Sequence, residues 1–336
     1  MTVLLTGAAG FIGFHAGLAL AKEGADVYAV DSLNDYYDPA LKQARLEVLT
    51  AYPNVRFEHL DIAESACIDH LAALLPETTA ILHLAAQAGV RYSLKNPQVY
   101  LDSNITGQLN MLELARRYSS LEAFVYASSS SVYGGNTKQP FSESDPVDRP
   151  QSVYGMTKRS GELMAYSYGH LYGLPTTGLR FFTVYGPWGR PDMSPYIFTK
   201  AIFDRTSFRL FNSGECWRDF TYVDDIVSGA IAALKYRPKA GEGAPPAAIF
   251  NLGHDKPIKM TEFVKLLEEI VGLPAIFEPA PMQPGDVVAT WADLELSERE
   301  LGYRPTTALA EGLSNFVDWY RDYHKLSAAP RRSAKA

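Results

Sequence analysis

The sequence predicts an α/β protein: a doubly wound parallel sheet carrying a smaller mixed α/β substrate lobe. Three observations lead there. Strand-like apolar runs alternate with helix-like runs through the first half of the chain, the pattern of a parallel sheet with helical crossovers. The first strand runs straight into a glycine-rich turn that opens a helix. The glycine turn, Asp31, Asp61-Ile62, Ala85–Gln87 and Ser128–Ser131 then each lie at the carboxyl end of an expected strand, where open α/β sheets place their sites.

Taken in order, Val3-Leu4-Leu5 is the first strand and Gly7-Ala-Ala-Gly10-Phe-Ile-Gly13 the turn. An apolar helix pattern follows from Phe14 to Lys22, closed by Gly24, and a second strand, Asp26 to Val30, ends at Asp31. Such a unit binds a dinucleotide: glycines admit a pyrophosphate, the helix N-terminus offers unpaired N–H groups, and an acid accepts the adenosine ribose. Asp31 follows Gly13 by 18 residues, close to the usual spacing of about 20. No Arg or Lys follows Asp31 until Lys42, so a 2′-phosphate would meet a negative charge and NAD is preferred to NADP. The bland alternative is a tight turn with Asp31 as an exposed strand end. Strand 55–60 ends at Asp61-Ile62, an adenine-edge contact. Strand 80–84 ends at Ala85-Ala86-Gln87, where small residues let a cofactor lie flat. Strand 123–127 ends in the run Ser128 to Ser131.

The chain has 336 residues, enough for a large core and two lobes. A net charge of −7 argues against a nucleic-acid or acidic-membrane surface, so a polyanionic substrate needs a local basic pocket. No apolar run approaches the ~18 residues of a membrane span, and no signal-peptide pattern precedes the first strand. Cys67 and Cys216 lack metal spacing, the seven histidines are scattered, and no metal site is expected; His83, inside an apolar strand, reads as core. These features point to a reduced, cytoplasmic compartment. The expected division is 1–175 plus 223–252 for the cofactor domain, 176–222 plus 253–323 for the lobe, and a disordered tail over 324–336.

A tyrosine and a lysine four residues apart on a helix share a face, and an ammonium lowers a phenol's pKa toward use as a base. Two pairs qualify, Tyr154/Lys158 and Tyr196/Lys200, and chance alone supplies such pairs in a chain with 20 tyrosines. Position decides. Tyr154 opens a helix over 153–172, just after the serine-ended strand and an acidic, proline-rich loop over 140–150, so Tyr154 and the serines converge. Tyr196 has no hydroxyl partner before it and reads as packing, with Lys200 solvated.

The blocks TGAAGFIG (6–13), DSLNDYYDPALK (31–42), LAAQAGVRYSLKNP (84–97), SSSSVYG (128–134), YGMTK (154–158), LRFFTVYGPWGRPDM (179–193), RDFTYVDDI (218–226) and QPGDV (283–287) give the chain its resemblance. It resembles the extended short-chain dehydrogenase/reductases, specifically the NAD-dependent nucleotide-sugar epimerases, and among them most the UDP-glucuronate 4-epimerases. The resemblance implies a Rossmann-type cofactor domain. Tyr154 is the implied base for the sugar 4-hydroxyl, Lys158 holds the nicotinamide ribose and lowers the Tyr154 pKa, and Ser129 hydrogen-bonds the same hydroxyl. It implies NAD contacts from Gly7, Ala9, Gly10, Phe11, Ile12, Gly13, Asp31, Asn34, Asp61, Ile62, Leu84, Ala85, Ala86, Gln87, Asn104 and Phe181, besides Tyr154 and Lys158. Substrate contacts are implied from Val90, Arg91, Ser129, Ser130, Ser131, Phe182, Thr183, Arg190, Phe211, Arg218, Gln283 and Asp286. It further implies a homodimer through a four-helix bundle built from helices over 98–117 and 153–172, which Leu101, Ile105, Leu109, Met111 and Leu112 permit.

Relatives that decarboxylate or dehydrate place an acid in the run before VYG; this chain has Ser130 and Ser131 there. Thr290, where galactose-type epimerases have Tyr, and Gln283, where they have Arg, fit the glucuronate branch, whereas Glu215-Cys216-Trp217 departs from that branch's usual basic segment. The expected reaction is C4 epimerisation of UDP-glucuronate to UDP-galacturonate without loss of CO₂, Arg190 and the hydroxyls holding the carboxylate. The alternatives are a 4-epimerase of neutral UDP-hexoses or UDP-GlcNAc, a UDP-glucuronate decarboxylase, and an NAD-binding sensor without chemistry.

Overall fold

A computed structural model describes residues 1–241, 243–283 and 285–326. The first half lays down β1 (Thr2–Thr6), α1 (Phe11–Lys22), β2 (Asp26–Asp31), α2 (Pro39–Leu49), β3 (Val55–His59), α3 (Ala66–Leu74) and β4 (Ala80–His83). Two single-turn helices, α4 (Val90–Ser93) and α5 (Gln98–Leu101), and a π-helical turn, Asp102–Thr106, lead into α6 (Gly107–Ala115). Then come β5 (Ala123–Ser129), a 3₁₀ turn over Ser130–Tyr133, the long α7 (Val153–Tyr172) and β6 (Thr176–Phe181). The remainder is β7 (Thr183–Tyr185), α8 (Ser194–Asp204), β8 (Ser207–Phe211), β9 (Trp217–Arg218), β10 (Phe220–Tyr222), α9 (Val223–Lys235), β11 (Ala247–Leu252), β12 (Ile258–Lys259), α10 (Met260–Val271), β13 (Ile276–Ala280), α11 (Glu295–Leu301) and α12 (Leu309–Tyr323).

Seven strands form one parallel sheet in the order β11-β6-β5-β4-β1-β2-β3. Connections run one way from β1 through β3 and the other way from β4 to β11. The strand order therefore reverses between β1 and β4, the crevice where such sheets bind ligands. Helices cover the sheet, which explains why its central strands read as unbroken apolar runs rather than alternating ones. Val3, Leu4, Leu5, Ile81, Leu82, Phe124 and Val125 are all fully buried.

Three assignments change. β6, placed in the lobe on sequence, pairs with β5 on one side and β11 on the other, and all six of its residues are buried. The lobe's share of that stretch begins with β7, which pairs with β10 in a separate two-stranded sheet. The single helix expected over 98–117 is interrupted by the π turn, a feature that re-aims side chains near functional sites. Of the helical residues expected to face a dimer partner, Met111 and Leu112 are fully buried in this chain's own core.

The remaining segments build a second core around stacked aromatics. Phe198 lies on Phe208 and Phe220 on Phe263, with centroids 4.2 and 4.4 Å apart. Tyr196 belongs to this core, its hydroxyl 2.8 Å from His324 Nε2, and Lys200 makes an exposed ion pair with Asp204 on the same helix. His324, expected in the tail, is thus held; residues 327–336 lie outside the described residues.

Candidate active site

The glycine turn explains itself sterically. Gly7 has φ +74°, and a Cβ there would sit 2.6 Å from the Ala85 amide nitrogen; a Cβ on Gly13 would sit 2.0 Å from the Gly7 carbonyl. Neither position accepts another residue without moving backbone. Gly7 donates to Val30 O at 2.8 Å, tying the turn to β2. At the end of β2, Asp31 accepts the Ala9 amide at 3.0 Å through Oδ2 and the Leu33 amide at 2.8 Å through Oδ1. The carboxylate is therefore oriented by backbone before any ligand arrives.

A cavity of about 390 Å³ opens at the strand-order reversal. Its cofactor end carries Gly7, Gly10, Phe11, Ile12, Gly13, Asp31, Asn34, Asp61, Ile62, Leu84, Ala85, Ala86 and Gln87, with Phe181 further along. Two expected contacts lie behind this wall. Ala9 is fully buried and holds Asp31, while its carbonyl accepts from Arg45 Nη1 at 2.7 Å. Asn104 stands in the π turn, accepts the Gln87 amide at 2.8 Å, donates back to the Gln87 carbonyl at 3.0 Å and donates to Thr157 at 3.0 Å. Both shape the wall rather than line it.

From the loop after β2, sequence reasoning took only Asn34. Tyr36, Tyr37 and Lys42 line the same cavity. Lys42 is buried and donates to the Asn34 carbonyl and to Asn34 Oδ1, each at 2.7 Å. That cation is thus committed to Asn34 of its own loop. Arg45, fully buried, donates to Tyr37 at 2.7 Å and to the Trp188 carbonyl at 2.6 Å, and its Nε has no partner among the described residues. The tyrosine-rich block was visible in the sequence; its reach across the chain was not.

Tyr154 and Lys158 face the cavity from the first turns of α7, whose N-cap Ser152 accepts the Gly155 amide at 3.0 Å. Lys158 Nζ donates to the Ala127 carbonyl of β5 at 2.9 Å and lies 6.0 Å from the Tyr154 ring centre. Burial pushes the lysine down to about 8. Burial also raises the Tyr154 hydroxyl, against the opposing pull of a hydrogen bond from Ser129 and the charge of Arg190. The expected depression of the tyrosine by Lys158 is not seen in this arrangement: desolvation wins. Ser129, Ser130 and Ser131 line the wall opposite, with Ser129 Oγ 3.2 Å from Ser131 Oγ and accepting the Ser131 amide at 3.2 Å.

At the substrate end the wall carries Val90, Phe182, Thr183, Arg190, Arg218, Asp286 and Thr290. Both arginines already have carboxylate partners. Arg190 places Nε 3.0 Å and Nη2 2.5 Å from the two oxygens of Asp192, which also accepts Tyr36 OH at 3.0 Å. Burial would raise Asp192, but Arg190 holds its carboxyl below the usual range. Arg218 Nη2 donates to Asp286 Oδ1 at 2.6 Å. Arg91, Phe211 and Gln283 do not line the cavity; Arg91 instead stacks on Phe211, 4.8 Å from its ring centre. Among the described residues no group of three His, Cys, Asp or Glu could hold a metal ion.

A phenol and an ammonium converging with serine hydroxyls beside a dinucleotide turn is a site for moving a proton and a hydride. The family model described as the NAD dependent epimerase/dehydratase family matches residues 3–253. The chain belongs to that family. A relative in Arabidopsis thaliana, UDP-glucuronate 4-epimerase 4, is 47% identical over 96% of this chain and 76% of its own length. Protein CapI of Staphylococcus aureus is 45% identical over 97% of this chain and all of its own. Among solved structures, UDP-glucuronic acid 4-epimerase from Bacillus cereus, in complex with UDP-glucuronic acid and NAD, superposes with a TM-score of 0.88 at 33% identity, covering 96% of this chain and 100% of that one. As an epimerase/dehydratase family member, this chain has its glycine turn, Tyr154 and Lys158 within the matched segment, whereas Asp286 lies beyond it.

Proposed function

We propose that the protein interconverts UDP-glucuronate and UDP-galacturonate at C4, with NAD as resident cofactor. The observation that carries this reading is the sugar end of the cavity, where Tyr154 and Lys158 face Ser129, Ser130, Ser131 and Thr183. The carboxylates that line the cavity are engaged: at the cofactor end Asp31 by the Ala9 and Leu33 amides and Asp61 by the Ala63 amide, at the substrate end Asp286 by Arg218. No wall acid is left to work at C5 among the described residues.

The residues present fit NAD. The bare glycine backbone at the α1 N-terminus suits a pyrophosphate, Asp31 the adenosine ribose and Lys158 the nicotinamide ribose. When bound, NAD would supply the acceptor for the C4 hydride and the donor that returns it. Tyr154 takes the 4-hydroxyl proton and gives it back, and Ser129 hydrogen-bonds the same oxygen. Arg218 and Asp286 hold the nucleotide while the 4-keto sugar turns over between them and Tyr154. The serine hydroxyls and Arg190 Nη1, the nitrogen Asp192 leaves over, hold the sugar carboxylate out of line with the keto group, so CO₂ is retained.

Incubation with a panel of UDP-sugars tests this. UDP-galacturonate should be the main product from UDP-glucuronate; a pentose nucleotide as main product would make the protein a decarboxylase. Tyr154→Phe should lower kcat by ~10²–10⁴-fold with NAD content intact; an unimpaired variant removes the assigned base, and a wild type that binds NAD without turning over any UDP-sugar is a sensor. One observation favours a second reading, epimerisation of neutral UDP-hexoses: Asp192 neutralises the arginine meant for the carboxylate.

The reading includes a homodimer. Leu101, Leu109, Met156, Leu163 and Tyr166 are each 37–52% exposed on α5, α6 and α7, an apolar stripe suited to a four-helix contact between two copies. Leu163→Glu should shift the sedimentation coefficient from dimer to monomer. Cys67 and Cys216 are free and buried, which fits a reducing compartment, and the proposal places the enzyme in the cytoplasm. No helix among the described residues is long and apolar enough to cross a membrane.

A further inference from the structure

The reaction leaves one buried charged cluster unexplained. Glu162 and Arg180 are each 2% exposed. Arg180 donates to both carboxylate oxygens, Nε to Oε1 at 2.8 Å and Nη2 to Oε2 at 2.9 Å. Glu162 Oε1 also accepts the Ser128 hydroxyl at 2.6 Å, and Oε2 accepts Arg159 Nη1 at 3.0 Å. From the other side of the pair, Arg180 Nη1 donates to Tyr133 OH at 3.0 Å, and that hydroxyl donates to Asn251 Oδ1 at 2.7 Å.

The placement of these bonds is informative. Tyr154, Lys158 and Glu162 recur every four residues and share one face of α7. Lys158 grips β5 at Ala127 and Glu162 grips it at the next residue, Ser128. Arg180 stands opposite Ser128 in the β5–β6 register. Ser128 directly precedes the hydroxyl run 129–131, and Tyr133 closes the 3₁₀ turn that carries the run onward. The pair therefore holds the run at both ends and fixes both ends to the helix that bears Tyr154. A buried ion pair is weak evidence for stability, since apolar residues fill such space as well. Its bidentate geometry does fix orientation.

We infer that Glu162 and Arg180 are positioning residues that clamp Ser128 and Tyr133, and so set the distance and angle between the Ser129–Ser131 hydroxyls and Tyr154. The inference rests on the C4-epimerase reading. A loosened clamp lets the hydroxyl run drift from the reacting oxygen and from the sugar carboxylate, which slows epimerisation and lets the 4-keto acid lose CO₂.

The test uses the full chain with UDP-glucuronate and three variants, Ser128→Ala, Tyr133→Phe and Glu162→Gln. Ser128→Ala removes the bond to Glu162, and Tyr133→Phe removes the bonds to Arg180 and Asn251; neither breaks the Glu162–Arg180 ion pair, so they guard against a Glu162→Gln protein that fails to fold. NAD content, thermal midpoint, kcat, KM and the fraction of pentose nucleotide are read for each. Ser128→Ala and Tyr133→Phe should keep wild-type NAD content and KM, lose roughly tenfold in kcat, and release pentose nucleotide above the wild-type fraction. Wild-type kcat and product ratio in both overturns the inference, as does a raised KM at unchanged kcat, which would mark a binding role. If both instead arrive unfolded or without NAD, the cluster is structural and the inference is also overturned. A wild type inactive on every UDP-sugar would sink the activity reading itself. A wild type that prefers a neutral UDP-hexose leaves the kcat comparison to decide with that sugar.

Discussion

Asp192 shows how one side chain alters the electrostatic reading of a site. Arg190 alone would be a guanidinium fork aimed at a sugar carboxylate. With Asp192 on Nε and Nη2 the pair is near neutral, and Tyr36 adds a third bond to the same carboxylate. The incoming carboxylate of UDP-glucuronate meets Asp192 as a like charge, a contact that UDP-glucose does not make. Asp192→Asn keeps a carbonyl oxygen for Arg190 and removes the charge. It should therefore lower KM for UDP-glucuronate while leaving KM for UDP-glucose unchanged. A rise in both would mean that Asp192 chiefly holds the loop over 186–193, and that its charge is immaterial to sugar choice. Tyr36 and Asp192 are 156 residues apart, and no local pattern announces such a pair; the arginine was legible in the sequence and its partner was not.

Elements were legible where their cause is local. The β1 turn, α1 and Asp31 follow from glycine sterics and spacing, and Tyr154 from its place after the serine run. The π turn was not legible, because its cause is tertiary: Asn104 bonds Gln87 and Thr157 at once, and a regular helix aims that side chain elsewhere. β6 was misplaced because membership of a sheet depends on β5 and β11 flanking it, which no local pattern shows. The glycine turn makes a sharp prediction of its own. Gly13→Ala puts a methyl against the Gly7 carbonyl, a backbone atom that cannot rotate away. The turn must open, so the variant should lose bound NAD and lower the thermal midpoint. Gly24→Ala tests the local effect of positive φ alone, since a Cβ there meets nothing within 4 Å. It should keep NAD and cost only about 1 kcal/mol. Equal NAD loss in both variants would remove the steric account of Gly13.

At the scale of the whole molecule, buried ionisable groups set how the fold responds to acid. Burial lowers His83 to about 3 and His15 to about 4 from an ordinary 6.5. His83 is 2.7 Å from Thr6 Oγ1 between β1 and β4, and His15 bonds the Pro187 carbonyl at 2.9 Å. Both folded values are depressed, so each neutral imidazole contributes stability that is complete above pH 6.5 and lost as pH falls toward 4 and 3. Over that fall to pH 4 each costs about 3 kcal/mol, from ~1.4 kcal/mol per unit. Asp219 acts in the opposite sense. Burial raises it to about 6, and its carboxylate accepts the amides of Ala292, His254 and Asp255, which joins the link between β9 and β10 to residues 254–255 and 292. A raised carboxyl favours the protonated fold, so acidification from 6 to about 4 returns about 3 kcal/mol. Two histidines against one aspartate leave a net loss. The thermal midpoint of the NAD-saturated enzyme should therefore hold between pH 7 and 8 and fall by several degrees between pH 6.5 and 4. His83→Asn should flatten that limb, because a neutral amide has no proton to gain, while Asp219→Asn should steepen it. A midpoint that stays level down to pH 4 in the wild type, with the same level profile in both variants, would show that these three groups do not govern acid stability.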